Sequence, residues 1–221
     1  MGRNGFQAIR WSKFFSAKLC HGDLDSNMNC ESTQPRRVLH VIGAMDRGGA
    51  ETFLMNVYRN IDRTAIQFDF LVHEARECDF DREICSLGGN IYRISRFNGL
   101  NFFSYISNCR RFFSRHHDYA AVHVHIGSCA PMVIAEAHRY GLYSIAHSHN
   151  TNPPLSADSL AFQLVSFPTR FMADYFLACS YQAGLDRFGS RVAESSNFAV
   201  MNNGIDVTRY RFSPDVRTVT R

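Results

Sequence analysis

The chain lacks most of the features that would assign it to a class at sight. It has no run of about 18 apolar residues, so no segment is long enough to span a bilayer as a helix. The N-terminus lacks the continuous apolar core of a signal peptide. Gly2 is followed by Phe6 where a myristoylation signal requires Ser or Thr. The seven cysteines are an odd number and contain no C-x-x-C pair. Scattered thiols in a chain of 221 residues fit a reducing cytoplasm better than a disulfide scaffold. A formal charge of +4 is mild and falls well short of a nucleic-acid signature. There is no internal repeat and no low-complexity segment.

What remains is an ordinary apolar fraction of 45% in a length that holds one sizeable α/β domain and a tail. Residues 1–35 differ from the rest. Phe6, Ile9, Trp11, Phe14, Phe15 and Leu19, set among Arg10, Lys13 and Lys18, have the spacing of a short basic amphipathic helix. The polar stretch that follows favours a disordered leader, with Met28 as an alternative start. From Val38 onward apolar strands alternate with helices. Strands are expected at 38–42, 68–73, 90–95, 120–126, 143–149, 175–179 and 198–201. Helices are expected from Gly48, at 100–116, 131–140 and 181–188, and in a stretch broken at Pro168. Asn152-Pro153-Pro154 reads as a loop and Asn202-Asn203-Gly204 as a turn. This alternation predicts a Rossmann-like, doubly wound parallel sheet. Ligands of such sheets lie at the carboxyl ends of the strands, where strand order reverses.

The most informative stretch is Arg37 to Glu51. A short apolar strand ends at Gly43, and Gly48-Gly49 opens a helix with Phe53, Leu54, Val57, Tyr58 and Ile61 on one face. Such a turn offers free N–H groups and the positive end of a helix dipole, which suits a phosphate. The blander explanation is a glycine pair that only lets the helix pack. The pattern is not the dinucleotide fingerprint G-x-G-x-x-G: Gly43 stands five positions before Gly48, and no third glycine follows at the right spacing. Asp69 stands near the ribose-contact spacing but inside a strand. Glu51, in the first helical turn, suits the dipole.

The ten histidines are conspicuous. Residues i and i+2 of a strand share a face. His123 and His125 therefore point one way, as do His147 and His149. If their strands are neighbours, four imidazoles converge. A zinc site is one reading. The preferred one packs His123 and His147 in the sheet and lets His125 and His149 reach the cleft, because no carboxylate or thiol at ligand spacing joins the set. Arg110 to His117 interleaves base and aromatic. It reads as an amphipathic helix with Phe112 and Phe113 inward and arginines outward, on a rim that could meet anionic lipid.

Taken in order, Gly48-Gly49-Ala50-Glu51, His125, His147-Ser148-His149-Asn150, Asn203-Gly204-Ile205-Asp206 and Tyr210 resemble the N-terminal domain of the family-four retaining glycosyltransferases of GT-B fold. Bacterial enzymes of capsular and exopolysaccharide synthesis are the nearest in pattern. The resemblance runs from about residue 36 to 215. It implies two Rossmann-like domains facing a cleft, the N-terminal one mainly on the acceptor side. Gly48 and Gly49 then approach the donor phosphates. His149 is the catalytic-site histidine that contacts the donor sugar or positions reactants. Glu51, His125 and Asn150 line the cleft on the acceptor side. No metal or bound cofactor is required; the donor is a nucleotide-diphospho-sugar and the acceptor a lipid-linked or polysaccharide intermediate.

The resemblance also implies domain bounds: a leader over 1–35, the acceptor-side domain over 36–203, and an interdomain linker from 204 to 221. The donor-binding domain that follows in the family is missing from this chain, which is expected to be weakly active or inactive by itself and to need a separate C-terminal donor domain. The expected location is the cytoplasm, with peripheral contact at the inner face of the plasma membrane. Nucleic acid is not a partner. The competing classes are a non-catalytic Rossmann-like partner subunit and, more weakly, an NAD-dependent oxidoreductase.

Overall fold

The computed structural model of the chain describes residues 34–151 and 156–204. The expected disordered leader up to residue 33, the Asn152-Pro153-Pro154 loop, Ile205-Asp206, Tyr210 and the linker beyond Gly204 lie outside the described residues. Seven strands form one parallel sheet: β1 (Arg36–Ile42), β2 (Ile66–Val72), β3 (Ile91–Arg93), β4 (Ala121–Val124), β5 (Ser144–Ser148), β6 (Tyr175–Ala178) and β7 (Phe198–Val200). Their spatial order is β3-β2-β1-β4-β5-β6-β7. The chain builds outward from β1 to β3, then returns to the other side of β1 to lay down β4. The order therefore reverses between β1 and β4, and the carboxyl ends of these two strands flank the crevice.

The strands are legible because a parallel sheet is covered on both faces and reads as continuous apolar runs. Eight helices cover it: α1 (Gly49–Asn60), α2 (Asp81–Ser86), α3 (Phe102–Phe113), α4 (Ala130–His138), α5 (Ala157–Ser166), α6 (Thr169–Met172), α7 (Tyr181–Phe188) and α8 (Ser190–Ala193). On one face Val38, Ile42, Phe68 and Phe70 pack under Phe53, Leu54 and Tyr58 of α1 and Ile84 of α2. On the other, Leu39, Val41, Val122 and Val124 pack against Tyr105, Cys109 and Phe113 of α3 and Val133 and Ile134 of α4. Each large side chain so buried contributes about 2–3 kcal/mol of transfer free energy.

Helix α2 was not anticipated. It has six residues, too few for a periodic stripe, and Ile84 is its one buried apolar side chain. Helix α7 stops where expected, at Gly189, whose φ of 82° lies in the left-handed region. The strands at 90–95 and 120–126 are shorter than read, at three and four residues. Among the described residues no helix is long and apolar enough to cross a membrane. The five described cysteines are free thiols.

Candidate functional site

The turn after β1 delivers α1 with its N-terminus at the crevice. Gly48 and Gly49 are both exposed there. A Cβ on Gly49 would meet nothing within 4 Å, and one on Gly48 would meet only the carboxylate of Glu51. Helix packing therefore does not demand either glycine. The Glu51 side chain folds back over Gly48 and stands where an anion would approach the free N–H groups. Burial raises the pKa of its carboxyl, with Asp46 adding to the rise.

Beneath α1 the imidazoles converge, and there are five. β4 and β5 are neighbours, as four-histidine convergence required. His123 Nε2 lies 3.2 Å from His147 Nδ1 and His125 Nδ1 lies 2.8 Å from His149 Nε2. His40, directly opposite His123 in the β1–β4 register, adds the fifth, with Nδ1 at 3.1 Å from His125 Nε2. The Phe53 ring of α1 meets His147 and His149 at centroid distances of 6.1 and 6.2 Å, so the helix stands over the ladder. His123 and His147 are buried in the sheet as expected, and His125 and His149 at its carboxyl edge line a cavity that His147, against the expectation, also lines. Asn150 lines the same cavity and is exposed.

Burial holds the ladder neutral. It lowers the pKa of His40 to about 3 and that of His149 to about 4, the latter partly offset by a hydrogen bond with Asn203. His123, His125 and His147 are driven down by burial first and by neighbouring ladder imidazoles second, His40 for His123, His123 for His125 and His149 for His147. A neutral imidazole has one donor and one acceptor nitrogen. The run His149–His125–His40 is therefore directional. Its inner end, His40 Nε2, has no partner and sits beside the rings of Phe68 and Phe70. The other end, His149 Nδ1, is likewise buried without a partner, so one end of the run carries an unmade N–H and the other a bare lone pair.

Two sets of three, His40/His123/His125 and His125/His147/His149, offer nitrogens all within 4.8 Å of one another. Two ligands of one tetrahedral zinc, each at about 2.1 Å, stand about 3.4 Å apart. The 2.8 and 3.1 Å separations along His149–His125–His40 are those of N–H···N bonds.

Other residues depart from or extend the sequence reading. Asp69 is 1% exposed and bound by Arg37, by Tyr119 Oη at 3.1 Å and by the Asn90 N–H at 2.7 Å. It lies toward the opposite edge of the sheet with no vacancy for a ribose. Arg110 pairs with the buried Glu136, at 3.0 and 3.1 Å, so this arginine of the expected rim is structural. Phe112 and Phe113 point inward as expected. The chain after β7 returns to the site: Asn202 Nδ2 donates to Cys179 O at 3.0 Å, and Asn56 Nδ2 of α1 donates to Gly204 O at 3.2 Å. The Asn202-Asn203-Gly204 turn thus joins the histidines, which only its family motif had hinted at.

No protein-family model matches the chain. EpsF of Bacillus subtilis (strain 168), whose name assigns it to the glycosyltransferases, is 33% identical over 180 residues, which is 80% of this chain and 47% of EpsF. Among solved structures, Anabaena Alr3699/HepE in complex with UDP-glucose is similar with a TM-score of 0.62 at 15% identity, over 84% of this chain and 48% of that one. A UDP-N-acetylglucosamine 2-epimerase is similar at a TM-score of 0.54 and 12% identity, over 77% of this chain and 49% of that one. The chain spans about half the length of the relatives it matches. The strand order, the two helical layers and these likenesses define a Rossmann-like domain, the N-terminal half of a GT-B fold. The chain is thus similar in sequence to a protein named as a glycosyltransferase and similar in fold to the N-terminal half of GT-B proteins.

Proposed function

We propose that the chain is the acceptor-side domain of a retaining glycosyltransferase that takes its sugar from a nucleotide-diphospho-sugar. The carrying observation is the open N-terminus of α1 standing over a ladder of neutral imidazoles at the point where strand order reverses. The UDP and UDP-glucose complexes of HepE support this donor class. In this reading the Gly49 amide meets the donor diphosphate once Glu51 moves aside, and the Gly48 N–H, which donates to Asp46 O at 2.9 Å, joins it on release of that bond. Preorganised N–H groups there stabilise the negative charge that develops as the sugar–phosphate bond breaks. His149, held neutral by burial, contacts the donor sugar or positions the reactants. His125 fixes its ring, and Asn150 and Glu51 line the acceptor side. Net retention follows from front-face displacement, the mechanism of the family the sequence resembles.

We read the site as working without a resident metal or cofactor. The acceptor is a lipid-linked or polysaccharide intermediate. The domain works in the cytoplasm, with peripheral contact at the membrane's inner face through exposed arginines such as Arg111 and Arg115. A C-terminal donor-binding domain, on this chain's natural extension or on a separate chain, completes the cleft. The partner-subunit reading keeps the same fold without turnover, and the nicotinamide reading loses support from the saturated Asp69.

The test is a nucleotide-sugar assay on the 221-residue chain, alone and mixed with a donor-binding half supplied from a related enzyme. The expected result is little turnover alone and acceptor-dependent sugar transfer in the mixture. Epimerised nucleotide-sugar without transfer would overturn the transferase reading, as would a mixture no more active than either part.

A further inference from the structure

The cavity at the carboxyl ends of β4 and β5 holds groups that neither the donor turn nor the histidine ladder uses. Its volume is about 230 Å³, and it lies against α5, α6 and α7. Arg187 of α7 lines it. The guanidinium lies over the Phe162 ring at 4.3 Å, and Nη1 donates to Ser166 Oγ at 3.2 Å. Among the described residues no carboxylate pairs with it; Asp186, its neighbour in sequence, acts on it only through space. Arg170 of α6 donates Nη2 to the Arg187 carbonyl at 3.3 Å and lies over Phe167, likewise without a carboxylate. Two guanidinium groups thus sit on adjoining helices with no opposite charge between them.

Thr169 also lines the cavity. It is 3% exposed, and its Oγ1 has no hydrogen-bond partner. A buried hydroxyl left unpaired is destabilising. The opposite wall is Gly127, just after β4. A Cβ there would stand 2.9 Å from Phe162 Cζ and 3.5 Å from Arg187 Nη1. The absence of a side chain at Gly127 keeps the approach to Arg187 open. Among the described residues no acidic one lines the cavity; the remaining polar lining comes from His125, His147, His149, Ser148 and Asn150.

A half-buried cation without a counter-ion and a buried hydroxyl without a partner are both met by one oxyanion. Guanidinium geometry suits phosphate in particular, with two parallel N–H bonds. The volume falls below the ~300–1,000 Å³ of pockets that hold whole drug-sized ligands, so it takes one group and not a complete nucleotide-sugar. We propose that this cavity is an oxyanion subsite that seats one phosphate group of a substrate, held by Arg187 and the Thr169 hydroxyl. It rests on the transferase reading only for the identity of the molecule that carries the phosphate, either the acceptor or the donor diphosphate.

The experiment is a titration of the ¹⁵N-labelled 221-residue chain with inorganic phosphate and, separately, with UDP, at constant ionic strength. Amide shifts are followed at Gly127, Thr169 and Arg187 for the cavity, and at Gly48 and Gly49 for the donor turn. Phosphate is expected to move the cavity amides saturably. Arg187→Gln should weaken that response at least tenfold, and Arg187→Lys should retain part of it. Thr169→Val keeps shape and removes the hydroxyl; it should weaken phosphate binding about threefold or more without loss of thermal stability, which a merely structural threonine would not do. If UDP moves cavity and turn together, the phosphate is the donor's. If UDP moves the turn alone while phosphate still fills the cavity, it is the acceptor's. Failure of UDP at both places with phosphate still in the cavity would sink the donor reading and leave the subsite standing. Cavity amides that do not respond to phosphate, or a response unchanged in Arg187→Gln, would overturn the subsite.

Discussion

The two edges of the sheet handle polar groups in opposite ways. At the amino edge the buried Asp69 is bound on both oxygens and the exposed Asp174 accepts three hydrogen bonds on one. Asp69 is held by Arg37, Tyr119 and Asn90, and Asp174 accepts from the Ser144 N–H at 2.8 Å, the Ser144 hydroxyl at 2.7 Å and His138 at 3.0 Å. At the carboxyl edge the polar groups are histidines held neutral, an arginine without a carboxylate and a threonine without a partner. The strands are the same strands. The amino edge is arranged for stability, whereas the carboxyl edge leaves hydrogen-bonding capacity free for a ligand. Local rules of good packing fail at functional sites more often than elsewhere, and here they fail along one edge.

The largest expected effect separates the edges by pH. In the unfolded chain each imidazole titrates near 6.5, while the ladder histidines titrate well below that when folded. Below about pH 6.5 the unfolded state therefore binds more protons. Stability is full above that value and is lost as pH falls toward 4. Each fully depressed imidazole gives a slope of about 1.4 kcal/mol per pH unit, so five give up to about 7. Urea denaturation between pH 7.5 and 5 should show the steep fall, and His40→Phe should flatten it. A stability flat across this range would contradict a buried neutral ladder.

Breaking the amino edge comes next. Asp69→Ala strands Arg37, the Tyr119 hydroxyl and the Asn90 N–H, and should cost about 3–5 kcal/mol in denaturant midpoint experiments. A loss under about 1 kcal/mol would show that this edge does not carry the stability assigned to it. His149→Ala should weaken nucleotide-sugar binding about tenfold or more, at a stability cost of about 1–3 kcal/mol from the stranded His125 Nδ1, smaller than that of Asp69→Ala. Equal damage to stability would make His149 a packing residue.

The smallest effect is the sharpest in sign. Gly49 opens α1 with empty space where a Cβ would stand. Gly49→Ala should therefore raise stability by about 0.5–1 kcal/mol through the unfolded state and weaken UDP binding by putting a methyl over the free amides. Thermal melts and UDP titration on one variant check both signs. Stability gained with binding unchanged would favour a turn that meets no phosphate.

Much of this was legible in the chain. Seven apolar runs became seven strands, and i,i+2 spacing placed four histidines on one face before their strands were known to be neighbours. His40 escaped because it sits inside an apolar run, and its contact with His125 depends on β1 lying beside β4, a pairing between strands distant in sequence. Arg187 escaped for a related reason. A single arginine near the end of an eight-residue helix has the look of a solvated charge, and only the packing of α7 against Phe162 shows it to be half-buried. Helix α2 was too short to carry a period. Asn203 had its family motif but no local signal of where the turn would go.

The central claim is that the carboxyl edge is one jaw of a nucleotide-sugar cleft. Titrating UDP-glucose into the ¹⁵N-labelled chain tests it most directly, with amide shifts read across both edges. The account predicts weak but saturable shifts at Gly48, Gly49 and His149, with none near Asp69 or Asp174. Shifts absent from the carboxyl edge, or spread without saturation over the whole surface, would contradict it.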